Sequence, residues 1–128
     1  MQTILVVEDE SDLVWLLRYN LEREGYRTFV APNGRAAIGL VQEQPPALML
    51  LDLMMPVMDG WSVLEELDRL GIRPKVIVLS ARTGSGEKKK AEELRVDAFM
   101  AKPFDMDDLL ALIRRLVPPD SRPDVSVD

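Results

Sequence analysis

Short apolar runs alternate with polar, turn-rich stretches along this chain. The most informative run is Leu48-Met49-Leu50-Leu51, which stops at one acid, Asp52, and is followed by Pro56 and by Asp59-Gly60. A continuous apolar run bounded by turn signals fits a strand buried on both faces, the usual state in a parallel sheet. With Ala47 to Leu51 as the third, Ile4 to Val7, Tyr26 to Val30, Lys75 to Leu79 and Asp97 to Ala101 complete five predicted strands.

Helix signals fill the intervals. Ser11 or Asp12 can cap a helix that runs to Glu24 and is closed by Gly25, and Asn33-Gly34 opens another that ends near Gln44, before Pro45-Pro46. Trp61 to Leu70 is the third, ended by Gly71. A flexible loop from Ser80 to Gly86 leads into a fourth over Glu87 to Arg95. The fifth, Asp105 to Val117, carries Met106, Leu109, Leu110, Leu112, Ile113 and Leu116 as one apolar set. Strict strand–helix alternation predicts an α/β fold, a doubly wound parallel sheet with right-handed crossovers. The proline-rich stretch after Val117 cannot continue a helix and reads as a linker or flexible tail over 118–128.

Composition narrows the chemistry. The 128 residues suit one domain with its own core. Cysteine is absent, which suits a reducing compartment, and the chain reads as cytoplasmic. No apolar run approaches membrane-spanning length. A formal net charge of −6 makes direct nucleic-acid binding by this domain unfavourable, because phosphate contacts need clustered Lys and Arg. Histidine is also absent, removing the commonest general base and zinc ligand. Any chemistry falls to carboxylates, hydroxyls, lysine and a hard metal.

In a parallel sheet every strand's carboxyl end lies at one rim, where open α/β sheets place their ligands. Here that rim collects Glu8 and Asp9 from the first strand, Asp52 from the third, Ser80 from the fourth and Lys102 from the fifth. Taken singly, each has a plain structural reading: a helix cap, a turn hydroxyl, a solvated charge. Together they are complementary. Clustered carboxylates repel unless a cation joins them, and an all-oxygen acidic site suits Mg²⁺. Phosphoryl transfer needs an in-line nucleophile, a metal on the phosphoryl oxygens and donors for the rest. Asp52 fits the nucleophile, Glu8, Asp9 and Asp52 the metal ligands, and Lys102 and Ser80 the donors. No second base is supplied, so a long-lived acyl phosphate is expected rather than fast turnover.

These motifs resemble the receiver domain of two-component response regulators (CheY-like). Glu8-Asp9, Leu51-Asp52-Leu53-Met54-Met55-Pro56 with Asp59-Gly60, Leu79-Ser80-Ala81 and Ala101-Lys102-Pro103-Phe104 fall in register across residues 1–117. The resemblance implies a flavodoxin-like (βα)5 fold with strand order 2-1-3-4-5. It implies phosphorylation of Asp52 by a sensor histidine kinase or histidine phosphotransfer protein, with Mg²⁺ also held by the backbone carbonyl of Met54. A cis Lys102–Pro103 bond is implied as well. Ser80 and Phe99 would couple phosphate to output, Ser80 moving towards it and Phe99 turning inward. Leu13, Leu16 and Asn20 on the first helix would help dock the kinase. Trp15 and Tyr19 read equally well as packing against the last helix. A phosphorylation-dependent dimer belongs to the same set of implications, as does a chain that is either a stand-alone receiver or one joined to a further domain.

Two alternatives stand beside this switch. An aspartate-nucleophile phosphatase of the haloacid dehalogenase type needs a second Asp two residues after the first, where this chain has Met54. A receiver-like interaction module that never takes phosphate is the other, kept open by an unusual fourth helix. That helix offers only Ala91 and Leu94 as an apolar stripe, carries Lys88-Lys89-Lys90 as a solvated face, and ends at Arg95 where the family usually has Gly. It is therefore expected to be mobile or displaced.

Overall fold

The computed structural model describes residues 1–120, so the expected tail lies outside the described residues from residue 121 on. Five strands and five helices alternate: β1 (Thr3–Val7), α1 (Ser11–Arg23), β2 (Arg27–Ala31), α2 (Gly34–Glu43), β3 (Leu48–Asp52), α3 (Gly60–Leu70), β4 (Lys75–Ser80), α4 (Ser85–Glu93), β5 (Ala98–Ala101) and α5 (Met106–Leu116). All strand pairs are parallel and the sheet order is β2-β1-β3-β4-β5, the flavodoxin-like arrangement.

The apolar runs build two cores, one on each face of the sheet. Successive strand side chains point to opposite faces. Thus Leu5, Val7, Met49, Leu51, Val76 and Val78 meet α2 and α3 through Val41, Val63, Leu64 and Leu67. Their neighbours Ile4, Val6, Leu48, Leu50, Ile77 and Leu79 meet α1 and α5 through Leu17, Leu21, Leu109 and Ile113. Every residue of β3 is buried. This places Asp52 at the end of the best-protected strand, with Glu8 two residues beyond the Val6–Leu50 pairing on its neighbour.

Small departures from the sequence reading have identifiable physical causes. Glu10, not Ser11 or Asp12, is the N-cap of α1: its carbonyl accepts the Val14 N–H, and its own N–H donates to Glu8. The second strand begins at Arg27 because Tyr26 has another task. Its N–H closes α1 on the Leu21 carbonyl, while its buried hydroxyl donates to the Val117 carbonyl at 2.6 Å. Trp15 and Tyr19 do not pack on α5. They stack on one another in solvent with ring centroids 5.3 Å apart, beside a groove that reaches Val30 and Pro32.

The polar fourth helix forms, from Ser85 to Glu93, and sits against the sheet through Ala91 alone as a fully buried contact. Polar contacts add to this: Arg73 bridges the Asp68 carboxylate and the Leu94 carbonyl, and the Lys90 ammonium lies over the Trp61 ring at 5.5 Å. Arg95 follows with φ 57, in the left-handed region that glycine favours after a helix.

Magnitudes rank the helices. α5 buries Leu109, Leu110 and Ile113, and each such side chain contributes roughly 1.5–3 kcal/mol. The single Ala91 methyl contributes about 0.8 kcal/mol. Amide exchange in α4 is therefore expected to run well ahead of exchange in α5; equal protection, read by mass spectrometry, would contradict this. Replacing Arg95 by Gly removes the left-handed penalty against a smaller entropic cost. Arg95→Gly should stabilise the fold by about 0.5–1 kcal/mol in denaturant melts.

Candidate functional site

Five side chains from four strand ends meet at one rim. Asp52 ends β3 and is only 4% exposed; Glu8 follows β1 and is 2% exposed. Asp9 is exposed at the mouth. One carboxylate oxygen from each of the three lies within 4.8 Å of the others. Lys102 arrives from beyond β5, its N–H donating to the Ser80 carbonyl at 2.8 Å. Its Nζ donates to Glu8 Oε1 at 2.9 Å and stands 3.5 Å from Asp52 Oδ2. The Lys102–Pro103 peptide bond is cis. Ser80 is fully buried at the end of β4.

The strand ends are latched to their own loops. Glu8 Oε2 accepts the N–H of Glu10 at 3.3 Å, Asp52 Oδ1 that of Met54 at 3.1 Å, and Ser80 Oγ that of Arg82 at 2.9 Å. Side-chain oxygens of Asp and Ser commonly bond their own backbone two residues on, which fixes the first turn of the loop. At Asp52 this holds the Met54 peptide beside the carboxylate while the Met54 side chain points out to solvent, 49% exposed. Gly60 then returns the loop to the strand. Its N–H donates to the Leu53 carbonyl, and a Cβ there would stand 2.9 Å from the Asp52 carbonyl oxygen.

The electrostatics are unbalanced. Burial pushes the Glu8 carboxyl above its ordinary 4.5, and the Asp52 charge adds to the rise, against the Lys102 hydrogen bond. Burial alone would lower Lys102, but its bond to Glu8 and the charges of Glu8 and Asp52 overcome this and raise it above 10.5. Lys102 is thus a charged donor at neutral pH. One ammonium faces three carboxylates, and the Glu8–Asp52 repulsion alone is worth roughly 3 kcal/mol at an effective dielectric near 20. Three converging carboxylate oxygens with excess negative charge are a donor set for a hard divalent cation.

The sequence profile of the response regulator receiver domain matches residues 4–114. The chain belongs to this family. It is 37% identical over 117 residues to the transcriptional regulatory protein PcoR of Escherichia coli, covering 91% of this chain and 52% of that protein. It is 41% identical over 117 residues to KdpE of Mycobacterium tuberculosis, covering 91% and 51%. The chain thus spans about half the length of these curated relatives. Among solved structures, the Francisella response regulator 1452 receiver domain matches with a TM-score of 0.86 at 29% identity, over 91% of this chain and 96% of that one. Response regulator TrrA from Thermotoga maritima, solved in complex with Mg²⁺-BeF, matches with a TM-score of 0.80 at 31% identity, over 91% and 100%. The protein is a receiver domain of the two-component type, a signalling domain.

The remaining expected residues divide. Phe99 is half-buried away from the carboxylates and lines a cavity of about 310 Å³ with Lys88, Ala91, Glu92, Val96 and Ala98. Leu13 and Leu16 line a cavity of about 510 Å³ that also reaches Lys102, Pro103 and Phe104. Asn20 is not brought there: its side-chain amide folds back onto the Leu16 carbonyl at 2.8 Å. Sequence reasoning missed Glu10 and Arg82 because their contribution is a backbone N–H, which no side-chain pattern announces.

A sign follows for Glu8. A carboxyl raised in the fold binds its proton more tightly than the unfolded chain does. The fold therefore loses relative stability as pH rises through that raised value and regains it towards 4.5 and below. Gln mimics the protonated form and still accepts from Lys102. Without added divalent cation, Glu8→Gln should melt above the wild type at pH 7, with the gap closing as pH falls below 4.5. A lower melting point at pH 7 would contradict this.

Proposed function

We propose that Asp52 is the phosphoacceptor, charged by a sensor histidine kinase or histidine phosphotransfer protein with Mg²⁺ as cofactor. The observation that carries the reading is the buried Asp52 carboxylate, within 4.8 Å of Glu8 and Asp9 oxygens and 3.5 Å from the Lys102 ammonium. Glu8, Asp9, Asp52 and the Met54 carbonyl would hold the metal, which supplies positive charge for the phosphoryl oxygens when bound. In transfer, a P–O bond forms at an Asp52 carboxylate oxygen as the P–N bond of the donor phosphohistidine breaks. The imidazole nitrogen takes the electron pair.

The chain's own groups do the rest. Lys102 exchanges Glu8 for a phosphoryl oxygen, and its raised pKa keeps it a full donor. The Ser80 hydroxyl gives up the Arg82 N–H and donates to a second oxygen. Phe99 then turns into the space that Ser80 leaves. Water hydrolyses the acyl phosphate slowly, since the carboxylates nearest Asp52, those of Glu8 and Asp9, would be engaged as metal ligands and leave no spare base. Leu13 and Leu16, beside Lys102, would receive the kinase together with Asn20 on the same helix, whose amide donates to the Leu16 carbonyl.

On this reading residues 1–117 are the receiver and 118–128 a linker or tail, in the cytoplasm. Among the described residues no helix is long and apolar enough to cross a membrane. By analogy with PcoR and KdpE, the output is transcriptional and is delivered by protein beyond this domain. A phosphorylation-dependent dimer is part of the same proposal.

Incubation with acetyl phosphate and Mg²⁺, followed by intact-mass measurement, tests the core of it. The wild type should gain one phosphoryl group and Asp52→Ala none. A wild type that gains no phosphate and binds no Mg²⁺ would overturn the switch in favour of a phosphate-independent interaction module.

A further inference from the structure

The loop that carries the Met54 carbonyl is pressed from outside by a residue that no part of the phosphoryl chemistry touches. Gly34 is the first residue of α2, after the Asn33 cap, whose side chain accepts the Ala36 N–H at 2.9 Å. A Cβ at Gly34 would stand 2.5 Å from the Met58 carbonyl oxygen, 2.6 Å from a Val63 methyl and 2.9 Å from the Met58 Cβ. All three are closer than non-bonded carbon can approach. Gly34 does not occupy the left-handed region, so its conformation does not demand glycine. Space does.

Two of those three contacts are with residue 58, at the crest of the loop joining Asp52 to α3. That loop is already confined. At one end Asp52 accepts the Met54 N–H, and at the other Gly60 is docked on Leu53 and the Asp52 carbonyl. Between them, β-branched Val57 is held at φ 70 and the Met58 N–H donates to the Pro56 carbonyl at 2.7 Å. A β-branched residue in the left-handed region persists only where its surroundings over-determine it. The bare α2 N-terminus at Gly34 is the surrounding that bears on the neighbouring residue.

We propose that Gly34 is a positioning residue for the metal centre: by letting α2 close directly onto Met58, it fixes the path of the 53–59 loop and hence the place of the Met54 carbonyl. The proposal rests on the reading of that carbonyl as a Mg²⁺ ligand. A side chain at position 34 displaces the crest, and the ends of the loop carry the displacement to Met54.

Gly39 provides the control within the same helix, because a Cβ there meets nothing within 4 Å. Mg²⁺ binding is measured by calorimetry on wild type, Gly34→Ala and Gly39→Ala, alongside thermal melts and phosphorylation rates with acetyl phosphate over a range of Mg²⁺. Gly39→Ala should bind Mg²⁺ as the wild type does. Gly34→Ala should bind about tenfold more weakly, the scale on which supporting groups act on metal affinity. Its phosphorylation rate should recover at saturating Mg²⁺, which a generally damaged fold would not allow. Should Gly34→Ala fail to fold, Gly34→Ala/Val63→Ala removes one of the contacts and leaves the Met58 carbonyl as the atom that must yield. Wild-type Mg²⁺ affinity in either folded Gly34 variant overturns the positioning role alone. Absence of Mg²⁺ binding by the wild type overturns the metal reading, and this role with it.

Discussion

One ammonium holds the rim of this sheet together. Lys102 leaves the outer strand β5, and its Nζ reaches Glu8 after β1 and Asp52 on β3, across the end of β4. Both carboxylates are almost fully buried. Removing the ammonium from such a buried site typically costs about 3–5 kcal/mol, because the carboxylate charges are then left uncompensated. Yet the compensation is incomplete by construction. A single positive charge serves two buried acids and an exposed third, and the rise of the Glu8 pKa records the shortfall. The same imbalance that weakens the metal-free fold is what gives a divalent cation a reason to bind. Stability and chemistry at this rim are one electrostatic problem.

The strand ends solve a second problem, precision, by a repeated local device. Glu8, Asp52 and Ser80 each bind the backbone N–H two residues ahead, so each functional side chain sets the start of its own loop. Sites held on strands are more exact than sites on free loops. Here the loops inherit that exactness through one hydrogen bond apiece. The arrangement is also reversible, since each of these oxygens can exchange its amide for a stronger partner. Ser80 is the clearest instance, buried with its hydroxyl oxygen occupied by the Arg82 N–H.

Much of this was legible in the sequence because the governing signals are short-range. Buried parallel strands read as apolar runs, and Asn33, Asp59, Gly71 and Asp105 mark helix ends that the structure places within a residue of expectation. The rim was legible for a topological reason: in a parallel sheet, naming the strands names which residues share an edge. What was not legible depends on long-range or backbone terms. Tyr26 left β2 to start one residue later, its N–H closing α1 and its hydroxyl satisfying a carbonyl at Val117, far along the chain. Trp15 and Tyr19 looked like packing residues but found each other in solvent, an i, i+4 pairing that periodicity cannot separate from a core face. Glu10 took the cap from Ser11 because Glu8 had already engaged its amide. Gly34 read as a helix opener, and only the tertiary fold brings up the Met58 carbonyl that forbids a side chain there.

The fourth helix, expected to be mobile or displaced, shows how an element with a poor apolar pattern is held in place. Its one fully buried apolar group is the Ala91 methyl, with Leu94 partly buried at its end, and what holds it otherwise is Arg73 between Asp68 and the Leu94 carbonyl, with Lys90 over Trp61. Exposed ion pairs contribute about 0–1 kcal/mol and exposed cation–π contacts about 0.5–1 kcal/mol. The helix is thus tethered by a few kcal/mol, against several buried side chains for α5. Inverting a two-state equilibrium from 1:99 to 99:1 takes about 5.5 kcal/mol of differential binding. A tether of this size falls below that figure, which makes α4 easier to displace than α5 or the central strands. The chain therefore places a rigid site and a loosely held helix on either side of Ser80. That division of stiffness is what a phosphorylation signal at Asp52 would need in order to move one element and leave the rest in place.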